Sequence, residues 1–186
     1  MPNDIYEKRI EIPAGCQVTL QEKTITVKGP KGNLDRTFPE AYAHLRIEGN
    51  EVVASTDVAR KQARALVGTM IAHLRNMLIG VQHGYEYQMK IVYSHFPMSI
   101  DINGRDVFIK NLIGERGIRK AKLMGEVQAK VTEDDVIITG ISLEDVSQSA
   151  ANIQNATRLR KKDRRVFLDG IYVLKKRKGE TVKSVV

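Results

Sequence analysis

The chain has 186 residues, of which 42% are hydrophobic and 28% are charged. This composition excludes a disordered or fibrous chain and supplies enough apolar side chains for one large domain or two small ones. Lys and Arg number 30 against 22 Asp and Glu, which leaves a net charge of +8. Such an excess of positive charge predicts an anionic partner.

Three further features bear on the cellular location of the chain. No stretch reaches the roughly 18 uninterrupted apolar residues that a membrane span needs. The first ten residues contain no apolar run of signal-peptide length. The single cysteine, Cys16, cannot form an internal disulfide, as expected in a reducing compartment. We therefore predict a protein that is neither secreted nor bound to a membrane.

The first predicted elements are two β-strands within residues 18–32. Apolar and polar residues alternate around Val18 and again around Ile25, which is the period of a half-buried hairpin. The basic loop at residues 28–32 contains two glycines. It lacks the spacing of a phosphate-binding GxxxxGK[ST] loop, and a Gly-Pro turn between strands explains it at least as well.

A strand, an acidic turn and a second strand are predicted next, at residues 47–54. Residues 58–79 then predict an amphipathic helix with Gly80 as its C-terminal stop. The inward face of this helix would carry Ala59, Ala63, Leu66, Val67, Met70, Leu74, Met77 and Leu78.

The second half of the chain repeats the first. Residues 18–32 align with residues 100–114 at a constant offset of 82, and apolar positions fall on apolar positions. Residues 47–54 resemble residues 131–138 at an offset of 84. Self-similarity at a fixed offset indicates a duplicated structural unit.

The second copy opens at residues 85–93, which alternate strongly, and it also contains a helix. Ser142 and Asp145 have capping-box spacing, although Asp replaces the usual Glu or Gln. The inward face of this helix would carry Val146, Ala150, Ile153 and Ala156. We predict an α+β fold of two similar tandem domains from an internal duplication, each a small antiparallel sheet with a helix packed on one face. The predicted domains are residues 1–83 and 84–186.

Most of the positive charge lies in the second half. Residues 91–186 hold 18 Lys and Arg against 12 Asp and Glu, and the 11 basic residues beyond position 157 face only three acidic ones. Dense runs at residues 158–165 and 175–178 are typical of a phosphate-contacting surface. The basic loop at residues 110–122 contains glycines that let backbone N–H groups and arginines approach a nucleic-acid backbone. A solvated hairpin tip is the alternative for this loop.

A short strand after an Asp-Gly turn is predicted between the two C-terminal basic runs, which would flank it as basic arms. Phe167 is expected in the core, not as a platform on which bases stack. Taken alone, residues 175–178 match a nuclear-import signal equally well, and both interpretations can hold.

No catalytic or metal-binding constellation is predicted. His44, His73, His83 and His95 lie far apart and form no HExxH pair, although His95 could anchor the end of a strand. Cys16 lies in an alternating run, where a small hydrophobic residue is the simpler interpretation. We expect no enzymatic activity, no cofactor, no metal and no small-molecule substrate.

Four segments of the chain resemble the ribosomal protein six family of the large subunit, in its archaeal and eukaryotic branch. They are residues 23–34, 93–97 (Tyr-Ser-His-Phe-Pro), 110–116 (Lys-Asn-Leu-Ile-Gly-Glu-Arg) and, most specifically, 162–173. The likeness covers nearly the whole chain in the same order. It implies two similar α+β domains in a structural protein without enzymatic activity, which binds large-subunit ribosomal RNA chiefly through its second domain.

The resemblance and the charge distribution place the candidate RNA contacts in the second domain. The candidates are Lys110, Asn111, Arg116, Arg119, Lys120, Lys122, Arg158, Arg160, Lys161, Lys162, Arg164, Arg165, Lys175, Lys176, Arg177 and Lys178. The resemblance also implies a position near the factor-binding side of the subunit, close to the stalk base and the sarcin–ricin region, among neighbouring large-subunit proteins. The location would be cytoplasmic, with transient nucleolar passage in a eukaryote.

Three other functions remain open from the sequence. The first is a basic RNA-binding module outside the ribosome. The second is a peripheral membrane protein that uses residues 175–178 on anionic lipid, but residues 179–186 supply no amphipathic helix with aromatic anchors. The third is a hydrolase or transferase, for which no spacing suggests a coupled pair of carboxylates or histidines.

Overall fold

A computed structural model describes residues 6–38, 42–58, 60–159, 162–163 and 165–185. The chain divides into two compact units, Met1–His83 and Gly84–Val186. Each unit contains antiparallel sheets and one α-helix, so the predicted α+β fold of two similar units is confirmed. No helix in the described ranges is long and apolar enough to cross a membrane.

The described part of the first unit contains six strands and one helix. They are β1 (Tyr6–Glu11), β2 (Gln17–Gln21), β3 (Thr24–Gly29), β4 (Gly32–Thr37), β5 (His44–Glu48), β6 (Glu51–Thr56) and α1 (Lys61–His83). The strands form two antiparallel sheets in the orders β1-β6-β5 and β2-β3-β4. Helix α1 packs against strands of both sheets, and the buried core between them includes Ile25, Val52, Met70 and Leu74.

Helix α1 differs from the prediction at its C-terminal end. Its predicted inward residues are buried or half-buried, apart from Ala59, which lies outside the described residues. The expected stop at Gly80 is wrong, because Gly80 lies buried inside the helix, which continues to His83. Burial of the fully enclosed Val81 side chain outweighs the cost of about 1 kcal/mol for a glycine inside a helix. Gly84 follows the helix with a left-handed φ of 73°, as is common just past a helix C-terminus.

The described part of the second unit contains eight strands and one α-helix. They are β7 (Tyr85–Val92), β8 (Ser99–Asn103), β9 (Asp106–Lys110), β10 (Arg119–Lys122), β11 (Gln128–Val131), β12 (Asp135–Gly140), α2 (Leu143–Ala156), β13 (Gly170–Lys178) and β14 (Thr181–Ser184). The sheets are β10-β9-β8 and β11-β12-β7-β13-β14. The predicted cap is confirmed, since the Asp145 N–H donates to Ser142 Oγ at 3.3 Å. Val146, Ala150 and Ile153 are buried, as predicted, and Ala156 is half-buried.

The sheets of the two units correspond strand by strand, as the predicted duplication requires. The sheet β2-β3-β4 corresponds to β8-β9-β10, and β1-β6-β5 corresponds to β7-β12-β11. Strand β2 begins 82 residues before β8, and β6 begins 84 residues before β12, which are the offsets found in the sequence. The hairpin β13-β14 beside β7 has no counterpart in the described residues of the first unit.

Strand β13 is longer than predicted. It spans nine residues, and residues 175–178 form its second half, paired with β7 and β14, so they are not a basic arm. The register shifts between Val173 and Lys175, which leaves Leu174 as a bulge. The bulge interrupts the alternation of side chains between the two faces of the strand. The period-two pattern in the sequence therefore ends near Leu174, although the strand continues to Lys178.

Candidate nucleic-acid interface

One group of predicted RNA-binding residues lies on the outer face of the sheet β8-β9-β10. Because alternate residues of β9 and β10 are buried on the other face, Lys110, Lys120 and Lys122 point outward and are exposed. Lys110 Nζ pairs with a carboxylate oxygen of Asp101 at 2.8 Å. Lys120 Nζ lies 5.4 Å from the centre of the Phe108 ring. Lys122 makes no ion pair with any described residue, so its charge is available to a ligand.

The loop after β9 packs against the segment after β7. Asn111 has a left-handed φ of 58°, and its Nδ2 donates to the Pro97 carbonyl at 2.9 Å. Gly114 also has a left-handed φ of 71°, and a Cβ there would lie 3.3 Å from the Phe96 ring. Asn111 therefore fixes the loop through a side-chain bond. Arg116 is exposed and forms no ion pair within the described chain.

Arg119 points toward the C-terminal end of α2. Its Nε and Nη2 donate to the two carboxylate oxygens of Glu115 at 2.8 and 2.6 Å. Its Nη1 donates to the carbonyls of Ala156 and Arg158 at 2.9 and 3.1 Å. The hydrogen bonds from Arg119 lower the pKa of Glu115, although partial burial opposes them. The guanidinium thus satisfies carbonyls at the negative end of the helix dipole.

A buried carboxylate ties the segment after β7 to the C-terminal part of the unit. The Asp169 side chain is 0% exposed, and its Oδ1 accepts the backbone N–H groups of Ser94 at 2.9 Å and His95 at 3.2 Å. Its Oδ2 lies 2.9 Å from His95 Nδ1. Burial acts to raise the pKa of Asp169, but these hydrogen bonds together hold it below its usual value. We call Asp169, Ser94 and His95 the Asp169 latch.

Phe167 is half-buried beside this latch, so the prediction that it lies in the core is wrong. Its ring stacks on the His95 ring with 4.8 Å between the centres. Lys162 Nζ lies 5.0 Å from the centre of the Phe167 ring. Arg165 is exposed nearby in the chain. The latch therefore connects the loop at residues 111–116 with basic residues that precede β13.

The remaining candidates before β13 differ in what the structure shows of them. Arg158 is exposed and lines a polar pocket of about 210 Å³ together with Gln154, Asn155, Thr157 and Tyr172. Arg160, Lys161 and Arg164 lie outside the described residues.

The last four candidates lie at the other end of β13. Lys175 and Arg177 stand opposite Gln88 and Glu86 on one face of the sheet, whereas Lys176 and Lys178 stand opposite Tyr87 and Tyr85 on the other. Lys176 Nζ lies 5.4 Å from the centre of the Tyr87 ring. A nine-residue strand spans about 26 Å at roughly 3.3 Å per residue. The described candidates thus form two groups, a first group at residues 110–122 and in the segment before β13, and a second group, residues 175–178, within β13.

Comparison with known proteins decides the family. The model of the family described as Ribosomal protein L6 matches residues 12–84 and again residues 96–170, once in each unit. The chain belongs to the ribosomal protein L6 family. The earlier resemblance to this family is therefore confirmed.

Relatives in the L6 family cover nearly the full chain. The large ribosomal subunit protein uL6 of Methanocella arvoryzae is 46% identical over 170 residues, covering 91% of this chain and 96% of the relative. The uL6 proteins of Methanosarcina mazei and Aeropyrum pernix are 43% and 44% identical, covering 91% and 93% of this chain and 96% of each relative. These archaeal relatives support the predicted branch, and membership in a family of ribosomal proteins confirms that the chain is not an enzyme.

The first unit of this L6 protein neutralises the cations on the outer face of its sheet β1-β6-β5. Arg9 lies within 3.6 Å of carboxylate oxygens of Glu7, Glu48 and Glu51. Arg46 pairs with Glu7 at 2.7 Å and with Glu48 at 2.6 Å. In the described ranges no group of three or more His, Cys, Asp or Glu residues could hold a metal ion.

The role of Asp169 in this L6 protein was not predicted from the sequence. The available signal was an acidic residue within the apolar stretch around Phe167 and Ile171. A carboxylate is buried in such a stretch only where donors compensate it. Its partners, Ser94 and His95, lie more than 70 residues away in the chain, so the sequence alone did not identify them.

Replacing Arg119 with Gln is expected to lower the free energy of unfolding of the second unit by about 1–2 kcal/mol. The change removes the paired bonds to Glu115 and leaves carbonyls of α2 without a donor; the partial exposure of the pair limits the loss. Amide hydrogen exchange at the buried Met89 and Ile138 reports this energy. Arg116→Gln is the matched control and should change it by less than about 0.5 kcal/mol. Equal losses in both variants would contradict the structural role of Arg119.

Proposed function

We propose that this chain is a structural constituent of the large ribosomal subunit and binds large-subunit ribosomal RNA chiefly through its second unit. One contrast carries the assignment of RNA binding to that unit. Lys122, Arg116 and Arg165 are exposed there without a carboxylate partner among the described residues, whereas on the outer face of the first unit's sheet β1-β6-β5 both Arg9 and Arg46 are paired. A cation without a carboxylate partner can bind a phosphate without breaking an ion pair, and this binding releases condensed counterions from the RNA.

The fold supports this function by holding the cations in place. The Asp169 latch and the bond from Asn111 to Pro97 fix the loops that carry the first group. Strand β13 fixes the second group, residues 175–178. Side chains on fixed backbone lose less conformational entropy when they bind. Folded RNA is recognised largely through its shape, phosphates and 2′-hydroxyl groups, which suits such a surface.

The family resemblance supports a finer placement. We place the chain near the factor-binding side of the subunit, close to the sarcin–ricin region and the stalk base, in contact with neighbouring ribosomal proteins. Residues 1–83 would serve mainly as scaffold and residues 84–186 as the main RNA-binding domain. The location is the cytoplasmic ribosome, with transient nucleolar passage only in a eukaryote.

Salt dependence tests the RNA contact. If about six to eight phosphates are contacted, the logarithm of the binding constant should fall with the logarithm of salt concentration with a slope of roughly −4 to −7. Filter binding of the full chain to large-subunit RNA fragments in increasing KCl measures this slope. A slope near zero would contradict the proposal.

Sedimentation distinguishes the ribosomal function from the alternatives. The chain should migrate with large subunits and leave them only at high salt. A chain found entirely in the free pool, still binding RNA, would favour a basic module outside the ribosome. Flotation with anionic vesicles in the absence of RNA would favour a membrane function.

A further inference from the structure

The two units differ at one sheet edge. Strand β7 is paired on both sides, with β12 and β13, whereas its counterpart β1 is paired only with β6 within the described chain. The ladders fix the correspondence: the Ile12 N–H donates to the Asn50 carbonyl at 2.8 Å, and the Ile91 N–H donates to the Asp134 carbonyl at 2.8 Å. Ile12 therefore corresponds to Ile91, and the open edge of β1 corresponds to the edge of β7 that β13 covers.

The backbone of this edge can accept another strand. Antiparallel partners alternate between hydrogen-bonded and non-bonded pairs. Because Ile12 bonds toward β6, Arg9 and Glu11 turn their N–H and C=O groups to the open side. The residues that correspond to them in the second unit, Gln88 and Lys90, pair with β13.

A groove runs beside the same edge. It has a volume of about 550 Å³ and lies between the end of β1 and the C-terminal half of α1. Ile10, Ile12, Leu78 and Ile79 form its apolar lining, and Arg75 and Gln82 also contribute to it. In the second unit the residues equivalent to Ile10 and Ile12 are covered by Val173 and Ile171 of β13, and Ile171 is fully buried.

We propose that the edge of β1 from Arg9 to Pro13 binds an extended segment of another protein, which adds as an antiparallel strand. Two aliphatic side chains of that segment occupy the positions that Ile171 and Val173 hold in the second unit. Free backbone groups beside an apolar groove match a polypeptide strand. Between Arg9 and Pro13 the only cation is Arg9, which is already paired with Glu48 and Glu51 and so is not free for an RNA phosphate.

The negative charge along the edge of β1 predicts the type of residue that lies between the two aliphatic residues of the bound segment. That residue stands opposite Glu11, as Tyr172 stands opposite Lys90. Glu11 lies in one row of the sheet with Glu51 and Glu48 and forms no ion pair with another described residue. The bound segment therefore carries Lys or Arg at this position. This inference concerns the first unit and does not depend on RNA binding by the second.

Nuclear magnetic resonance of the ¹⁵N-labelled full chain tests the proposal with a peptide that has the sequence of residues 170–176. The amide signals of Arg9 and Glu11 should shift as the peptide is added. Replacing the peptide's Tyr with Lys should tighten binding about two- to fivefold, as expected for an opposite-charge pair across strands. Methylating the backbone nitrogen of that residue should weaken binding about tenfold, because it removes a ladder hydrogen bond.

Chain variants supply the matched comparison. Ile79→Lys should abolish peptide binding, whereas Ile47→Lys on the opposite edge strand β5 should leave it unchanged. The methylated peptide keeps the test valid if Ile79→Lys fails to fold. Unshifted Arg9 and Glu11 amides at millimolar peptide, or equal binding of the methylated peptide, would overturn the proposal. Shifts of the same amides with an RNA oligonucleotide and not with peptide would overturn it in favour of RNA. Filter binding of Ile79→Lys to ribosomal RNA should be normal, which separates this outcome from failure of the proposed function.

Discussion

Replacing Arg116 and Arg165 together with Glu is expected to weaken binding to large-subunit RNA by about 50- to 100-fold at about 0.1 M salt. Each phosphate contact contributes roughly tenfold at this concentration, because each one adds about −0.9 to the salt slope. Both side chains are exposed and unpaired in the described chain, so no internal ion pair is lost. Filter binding across a salt series should also show a slope about two units shallower.

The control must change the same charge on the first unit. Arg60→Glu with Lys61→Glu meets this need, because both residues are exposed at the N-terminal end of α1, where negative charge is tolerated. Arg9 would be a poor control, since it is paired with three glutamates. Equal loss of affinity in the two double variants would show that net charge matters and the position of the cations does not.

Replacing Asp169 with Ala is expected to destabilise the second unit by about 3 kcal/mol. The change removes the buried charged acceptor of the Ser94 and His95 backbone N–H groups, and a hydrogen bond to a charged group contributes about 1.5–3 kcal/mol. It should also weaken RNA binding, because the Asp169 latch positions the loop at residues 111–116 and the residues before β13. Hydrogen exchange at Met89 and Ile138 measures the first effect, and filter binding measures the second.

Asp169→Asn separates shape from charge. The Asn carbonyl can accept both backbone N–H groups of Ser94 and His95, so stability should fall by less than in Asp169→Ala. Similar losses in both variants would mean that the ionised carboxylate itself, and not the geometry, holds the latch.

The acid dependence of stability follows from the same carboxylate. Its pKa in the folded chain is below the ordinary value of 3.8. Its stabilising contribution is therefore complete above pH 3.8 and is lost as the pH falls through the folded-state pKa. Urea unfolding between pH 5 and pH 2 should show a steeper decline for the wild-type chain than for Asp169→Asn. Parallel declines would contradict a depressed pKa at Asp169.

Local patterns predicted much of this fold. The hairpins at residues 18–32 and 100–114 alternate with period two, and Ser142 lies where a helix cap is needed, so neighbouring residues determine these elements. The end of α1 was missed because burial beyond Gly80 is decided by packing against the sheets. Charge density along the chain predicted the basic second unit but not its division into two groups.

The site was harder to predict because spacing does not reveal which way a side chain points. Arg119 lies in a basic run, but it shares a strand face with the buried Ala121, and its guanidinium bonds to α2 and Glu115. Residues two apart in a strand share a face, so the apolar Ala121 indicated that Arg119 lies on the inner face of β10. The partners of Asp169 are distant in the chain, and only the fold brings them together.

The bulge at Leu174 changes what the basic run in β13 can grip. In a regular strand Lys175 would share the side occupied by Ile171 and Val173; the extra residue transfers it to the opposite side. Consecutive residues of a strand alternate sides, so the four cations form two pairs that point away from each other, and the bulge decides which pair shares the side of Ile171 and Val173. A single straight duplex lying on one side of the hairpin reaches two of them at most. Contact with all four cations requires nucleic acid on both sides of the hairpin β13-β14, so the hairpin would lie between two nucleic-acid segments.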